Sequence, residues 1–290
     1  MKKFAIASIL TLNLLYSSKI EWGHGTFELE GGFLGLNGSK SCDIDSYSIL
    51  EHHKNILGTN FFYGYNLTYF DSQKLKQLQT DYNLAVNSAN TLITKAFGNN
   101  SIKIPEMEYR FQGIDAGVTL GYDLIHKSDS DYLGLGLYGG LSVPYIKSDK
   151  SSSSDNLDAL AGLYEESETD ITTYKVGIGI YAQKSLAPFL SLYSNAIYAY
   201  QTGNIKNNYA NLDFDSNGKY YEVSAGLKFQ ALKADLGLIS PSLYGTLGWR
   251  YRKWQVDDVG IDISGASLKA PKSDMKFSTN VFTLGVGYSF

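Results

Sequence analysis

Five charged residues stand where charge is costly. Asp115, Lys175, Glu222, Lys228 and Arg250 fall inside long segments in which apolar residues alternate with Gly, Ser and Thr. Strand side chains point to opposite faces with period two. These charges belong to the small-residue face, and so, by the same count, do Glu28, Glu30, Asp123 and Arg252. Lys175, Glu222, Lys228 and Arg250 sit on three of the segments and are placed to form one ladder of ion pairs and hydrogen bonds. Two chemistries are open to such a group. It can fill a narrow interior and neutralise itself, or it can form an eyelet that selects ions or a small solute. Narrow β-sheet interiors are usually packed with side chains, which weights the first.

No other constellation in the chain points to a reaction. The four histidines are His24, His52, His53 and His126, and none falls beside the aspartates Asp213 and Asp215. The chain contains no G-x-S-x-G and no H-E-x-x-H. Lys147 to Asp170 is dense in Asp and Glu but lacks the spacing of a calcium loop, so solvated charge is its simplest reading. Cys42 is the only cysteine, which rules out an intrachain disulfide and a Cys-rich zinc site. We therefore expect no enzyme activity, no metal and no cofactor. A formal net charge of -4 gives no footprint for a nucleic-acid partner.

The segments that must position these charges are strands. Alternation runs through Thr26–Leu36, Asp43–His53, Thr59–Phe70, Tyr109–Ile125, Tyr132–Ile146, Ile171–Gln183, Phe189–Thr202, Lys219–Leu232 and Ser242–Val256, and through the last fourteen residues. That makes ten, or eight if the first segment lies outside the sheet and the polar second one is not a strand. Most are about 11–15 residues, which suits tilted strands crossing lipid better than the shorter strands of soluble folds. Short and long connections alternate between them. Within the long one after the third strand, Leu75, Leu78, Tyr82, Ala85, Ala89, Leu92 and Phe97 recur at helical spacing. This predicts an amphipathic helix over 72–97.

The two ends of the chain fix the class. Lys2 and Lys3 precede an apolar run from Phe4 to Tyr16 that is too short to span a bilayer and ends at Ser17 and Ser18. This is the pattern of a signal peptide over 1–18, followed by a barrel domain over 26–290. At the other end, Phe282, Leu284, Val286, Tyr288 and Phe290 share one face, while Thr283, Gly285, Gly287 and Ser289 share the other. This strand, closing on an aromatic residue, resembles the terminal strand of the bacterial outer-membrane β-barrel superfamily, which includes porin-like and opacity-type surface proteins.

The resemblance implies an all-β, transmembrane, antiparallel up-and-down barrel with one external helical insertion. It implies an outer-membrane location, with lipid and lipopolysaccharide as surroundings and the barrel-insertion machinery reading the C-terminal strand. Trp249, Tyr251, Tyr288 and Phe290 would then be membrane-interface aromatics. The expected function is a porin-like narrow channel for ions or small solutes. The alternative is a non-conducting structural or surface barrel whose outer loops bind a partner.

Overall fold

A computed structural model of the chain describes residues 18–33, 36–54, 56–77, 80–83, 101–104, 106–125, 131–152, 168–207, 212–233, 242–263, 266–269 and 275–289. Ten long strands form the wall: β1 (Ser18–Phe33), β2 (Leu36–His53), β3 (Phe61–Ser72), β7 (Glu106–Asp123), β8 (Tyr132–Ser152), β9 (Glu168–Ala187), β10 (Leu190–Asn207), β11 (Leu212–Lys233), β12 (Ser242–Ile263) and β14 (Met275–Ser289). The short strands β4 (Leu75–Gln77), β5 (Thr80–Asn83), β6 (Ser101–Ile104) and β13 (Ala266–Lys269) lie in the long connections. Each wall strand pairs antiparallel with its neighbour in the chain order of the wall. β1 then pairs with β14, from Ser18↔Tyr288 to Gly31↔Met275, so the sheet closes with no free edge in the wall. This is the ten-strand barrel that the alternation predicts.

The wall strands are longer than the sequence suggests, reaching 22 residues in β11 and β12. The extra length lies mainly on the side of the long connections. There β8 and β9 grow into the acidic stretch as far as Ser152 and back to Glu168. We call that side the loop end and the opposite side the turn end. The turn end carries both Ser18 and Ser289 and the short turns. One of these turns is a single 3-10 turn, Ile56–Gly58, which Gly58 closes with a positive φ of 75°.

Two expectations need correction. The helix over 72–97 is not found among the described residues. Ser72 ends β3, Leu75–Gln77 pairs with β7, and Thr80–Asn83 pairs with Ser101–Ile104. Leu75 is buried against the interior aromatic residues, so ladder bonds and core contact outweigh the helical spacing there. Residues 84–97 lie outside the described residues. Among the described residues the wall also reaches back past Thr26 to Ser18, because the stretch through Trp22 and His24 pairs on both sides. Residues 1–17, where the signal peptide is expected, lie outside the described residues.

The outer face is apolar. Val118, Leu137, Val176 and Phe282 are 62%, 72%, 73% and 73% exposed. Such a continuous exposed band is unlike the surface of a soluble monomer. The inner face alternates glycine with large rings. Phe62 lies over Gly121 and Gly134, where an added Cβ would sit 2.4 Å and 2.6 Å from its ring carbons. Tyr138 covers Gly117 in the same way. The missing side chains are what let these rings cross the interior.

Gly121→Leu should therefore unseat Phe62 and destabilise the barrel by about 1–3 kcal/mol, the usual cost of overpacking. The readout is the temperature at which the folded, fast-migrating band converts to the unfolded band on a semi-native gel.

Candidate functional site: the barrel interior

The interior is built in three layers. At the loop end it is aromatic. Phe27, Phe70, Phe111 and Phe277 are each buried to within 2% of full burial. They come from four different strands and stack around Phe111, with ring centroids 4.2 Å from Phe27, 5.1 Å from Phe70 and 5.6 Å from Phe277. Trp254 joins Phe70 at 5.9 Å, and Ile44, Ile171, Ile205 and Val256 fill the remaining space.

The middle layer is ionic. Lys175 meets Asp115 in an ion pair whose two side chains are fully buried. Arg252 Nε donates to Glu222 Oε2 at 3.0 Å and lies 4.0 Å from Asp115 Oδ2. Arg250 approaches Glu21 at 2.6 Å and Glu222 at 3.7 Å. Three deeply buried cations (Lys175, Arg250, Arg252) face three buried carboxylates (Glu21, Asp115, Glu222), so these six sum to zero, and Lys19 adds a second ion pair to Glu21 at 2.6 Å from the cavity side.

Hydroxyls tie this layer across the interior. Arg250 donates to Ser48 at 3.1 Å and Arg252 to Thr68 at 3.0 Å, each from β12 to a far strand. Tyr220 donates to Asp115 at 3.2 Å and to Glu222 at 2.6 Å, and Ser142 donates to Asp115 at 3.0 Å. Trp254 Nε1 donates to Ser142 at 3.0 Å and links the ionic layer to the aromatic one. Tyr220 also faces Lys175, whose ammonium sits 3.8 Å from its ring centroid. Groups buried this deeply are tolerable only when paired this thoroughly.

The third layer, at the turn end, is a cavity of about 530 Å³. Arg250 and Glu222 form its floor. Its wall includes Lys19, Lys228, His52, Tyr132, Tyr181 and Tyr244.

The structure brings Asp115, Lys175, Glu222 and Arg250 into one network. Lys228 stands apart, in the cavity, with its ammonium 4.0 Å from the ring centroid of Tyr244. Glu28 and Glu30 do not face inward. They are exposed on the outer face, because pairing with β14 and β2 puts Glu21 and Phe27 on the inner side of β1. Arg252 and Trp254 share the inner parity of Arg250. Glu21 was outside the predicted strand and so escaped the sequence reading. Trp249 and Tyr251 face outward and stack at 6.4 Å, with the Trp249 indole donating to Asn280. Tyr288 is outward and half-buried, and Phe290 lies outside the described residues. Tyr198 and Tyr221 add an outward pair at 5.3 Å. Among the described residues no group of His, Cys, Asp and Glu could hold a metal ion.

The ionic layer makes a contrast that can be measured. Glu222→Ala leaves Arg252 without its main partner in a buried site and should cost about 3–5 kcal/mol. Lys228→Met breaks no ion pair, and its thermal transition should stay close to that of the unsubstituted protein. Equal losses from the two changes would mean that the ionic layer does not carry the barrel.

No family model matches the chain, and no curated protein matches it in sequence. Solved structures do. The outer-membrane protease OmpT of Escherichia coli aligns over 94% of this chain and 97% of its own, with 10% identity and a TM-score of 0.50. The translocator domain of the autotransporter NalP from Neisseria meningitidis aligns over 100% and 98%, with 12% identity and a TM-score of 0.36. The former likeness concerns the fold alone. It agrees with the closed antiparallel wall: this chain has the β-barrel fold of that outer-membrane protein.

Proposed function

We propose that this protein is an integral outer-membrane β-barrel that does not conduct, and that its activity lies at its two ends. The carrying observation is the filled cross-section. A solute entering at the loop end meets the Phe27, Phe70, Phe111 and Phe277 stack, then a neutral and internally paired ionic layer. An ion crossing that stack would shed its water in an apolar site, at an effective cost of several kcal/mol. This favours the structural or surface reading over a porin-like narrow channel.

The apolar outer band supports membrane placement. Closed barrels and helices are the structures that satisfy backbone groups in lipid. The turn end, with Ser18 and Ser289, is read as periplasmic and the loop end as external, facing lipopolysaccharide. Trp249 and Tyr251 then mark one interface and Tyr288 and Phe290 the other. No catalytic role is proposed. His24 is on the outer wall beside Asp45 at 3.0 Å, and His52 and His53 line the turn-end cavity.

Two outcomes follow. Folded protein in a planar bilayer should be silent. Discrete steps whose ion preference shifts in Arg250→Ala would instead make the ionic layer an eyelet. In cells, deleting Phe290 should lower the yield of heat-modifiable barrel in the outer-membrane fraction if the insertion machinery reads that end. An unchanged yield would remove that partner from the reading.

A further inference from the structure

The turn-end cavity holds a cation outside the ion pairs of its wall. Of the cations that line it, Lys19 and Arg250 each pair with Glu21 at 2.6 Å, while Lys228 faces the cavity beside Glu51 and Glu222. Both carboxylates are already engaged. Tyr63 donates to Glu51 at 3.1 Å, while Glu222 accepts from Arg252 and Tyr220. Among the described residues, Lys228 has no carboxylate in ion-pair range. Its ammonium rests on the Tyr244 ring, a contact that steadies a cation without neutralising it.

A second observation points the same way. Several buried polar atoms of the lining make no hydrogen bond: the Tyr132 hydroxyl, the Thr246 hydroxyl, His52 Nε2 and Asn66 Nδ2. Tyr132 and Thr246 are only 3% and 6% exposed. None of the four is bonded to another protein group, so together they offer hydrogen bonds to what occupies the cavity. Apart from the imidazole nitrogen, whose role depends on its tautomer, these groups can all donate. With Lys228 they ask for an oxygen-rich anion.

The rest of the wall asks for a flat body. Tyr132, Tyr181, Tyr193 and Tyr244 present rings, and Leu50 and Ile197 add apolar surface. The volume is within the range of small-molecule sites, which are mostly apolar with a few placed polar groups. We propose that this cavity binds a small organic anion made of one carboxylate head and a ring. The head is seated at Lys228 and the ring lies among the tyrosines. The ionic floor and the aromatic layer behind it make the cavity a dead end, so the ligand enters and leaves by the turn end. The site exists in the folded barrel whether or not the barrel conducts.

The test is calorimetric titration of the full, detergent-folded protein with benzoate, with benzamide as the uncharged counterpart and inorganic phosphate as the ringless anion. Benzoate should bind saturably, at least tenfold tighter than either control. Lys228→Met should weaken it at least tenfold while the protein still shows its folded, heat-modifiable band. Thr246→Val, a nearly isosteric change, should weaken it less. The proposal is overturned by no saturable benzoate binding, by benzamide binding as well as benzoate, by phosphate binding as tightly, or by Lys228→Met leaving benzoate affinity unchanged.

Discussion

Six buried charges that sum to zero set the shape of this barrel. Arg250 and Arg252 reach from β12 across the interior to Ser48 on β2 and Thr68 on β3, and their carboxylate partners come from β1, β7 and β11. Arg252 and Glu222 face each other across the β11–β12 pair, but the contacts to Ser48, Thr68 and Asp115 span the lumen, so the ionic layer acts as a set of cross-braces. A β-barrel wall alone fixes which strand lies beside which. It does not prevent the cylinder from flattening, and opposed groups held by fixed, directional partners do. The arrangement is demanding, because one lost partner strands a charge in a site without water.

The aromatic layer depends on the same braces. Trp254 donates to Ser142, which also serves Asp115, and Tyr220 packs 5.6 Å from Trp254 while donating to two carboxylates. These two rings are apolar toward the phenylalanine stack and polar toward the charges, which is how aromatic residues with a donor group bridge unlike environments. Glycine does the complementary work on the wall. Where a ring crosses the interior, the residue beneath it lacks a side chain, as at Gly117 under Tyr138. Layers of opposite polarity can thus share one narrow interior with little open space between them.

Much of the fold was legible because the alternation is nearly unbroken. The terminal strand shows it plainly. Phe282, Leu284 and Val286 are exposed and Thr283 and Gly287 buried, in the pattern that period two demands. Five of the six charges that meet in the interior, all but Glu21, were readable from the same count. The interior phenylalanines went unread. Phe27, Phe62, Phe70, Phe111 and Phe277 all lie on the glycine-bearing face, and a strict parity count would have placed them inside. Lys228 shows another limit. Parity put it in the interior correctly, but height along the barrel separates it from Arg250, and height depends on strand stagger, which alternation does not encode. The helical reading of 72–77 and 80–83 failed for a different reason. Spacings of three to five fit a helix in isolation, but pairing with β7 offered Leu75 a seat in the core.

Polarity along the axis argues for an asymmetric role. The loop end is sealed by rings that have no spare hydrogen-bonding capacity. The turn end opens onto donors that have some. A barrel serving only as an inert anchor would gain from filling both ends alike, since each unmet donor subtracts from stability. Unpaired polar atoms are not confined to that end: Glu21 Oε1 and Arg250 Nε in the ionic layer, and Tyr138, Thr173 and Gln201, have them too. What sets the turn end apart is an open cavity that holds Lys228 on the Tyr244 ring, where the six charges a short distance away are held by ion pairs. A cation facing open space beside a paired ionic layer is better explained by a ligand's requirements than by imperfect packing.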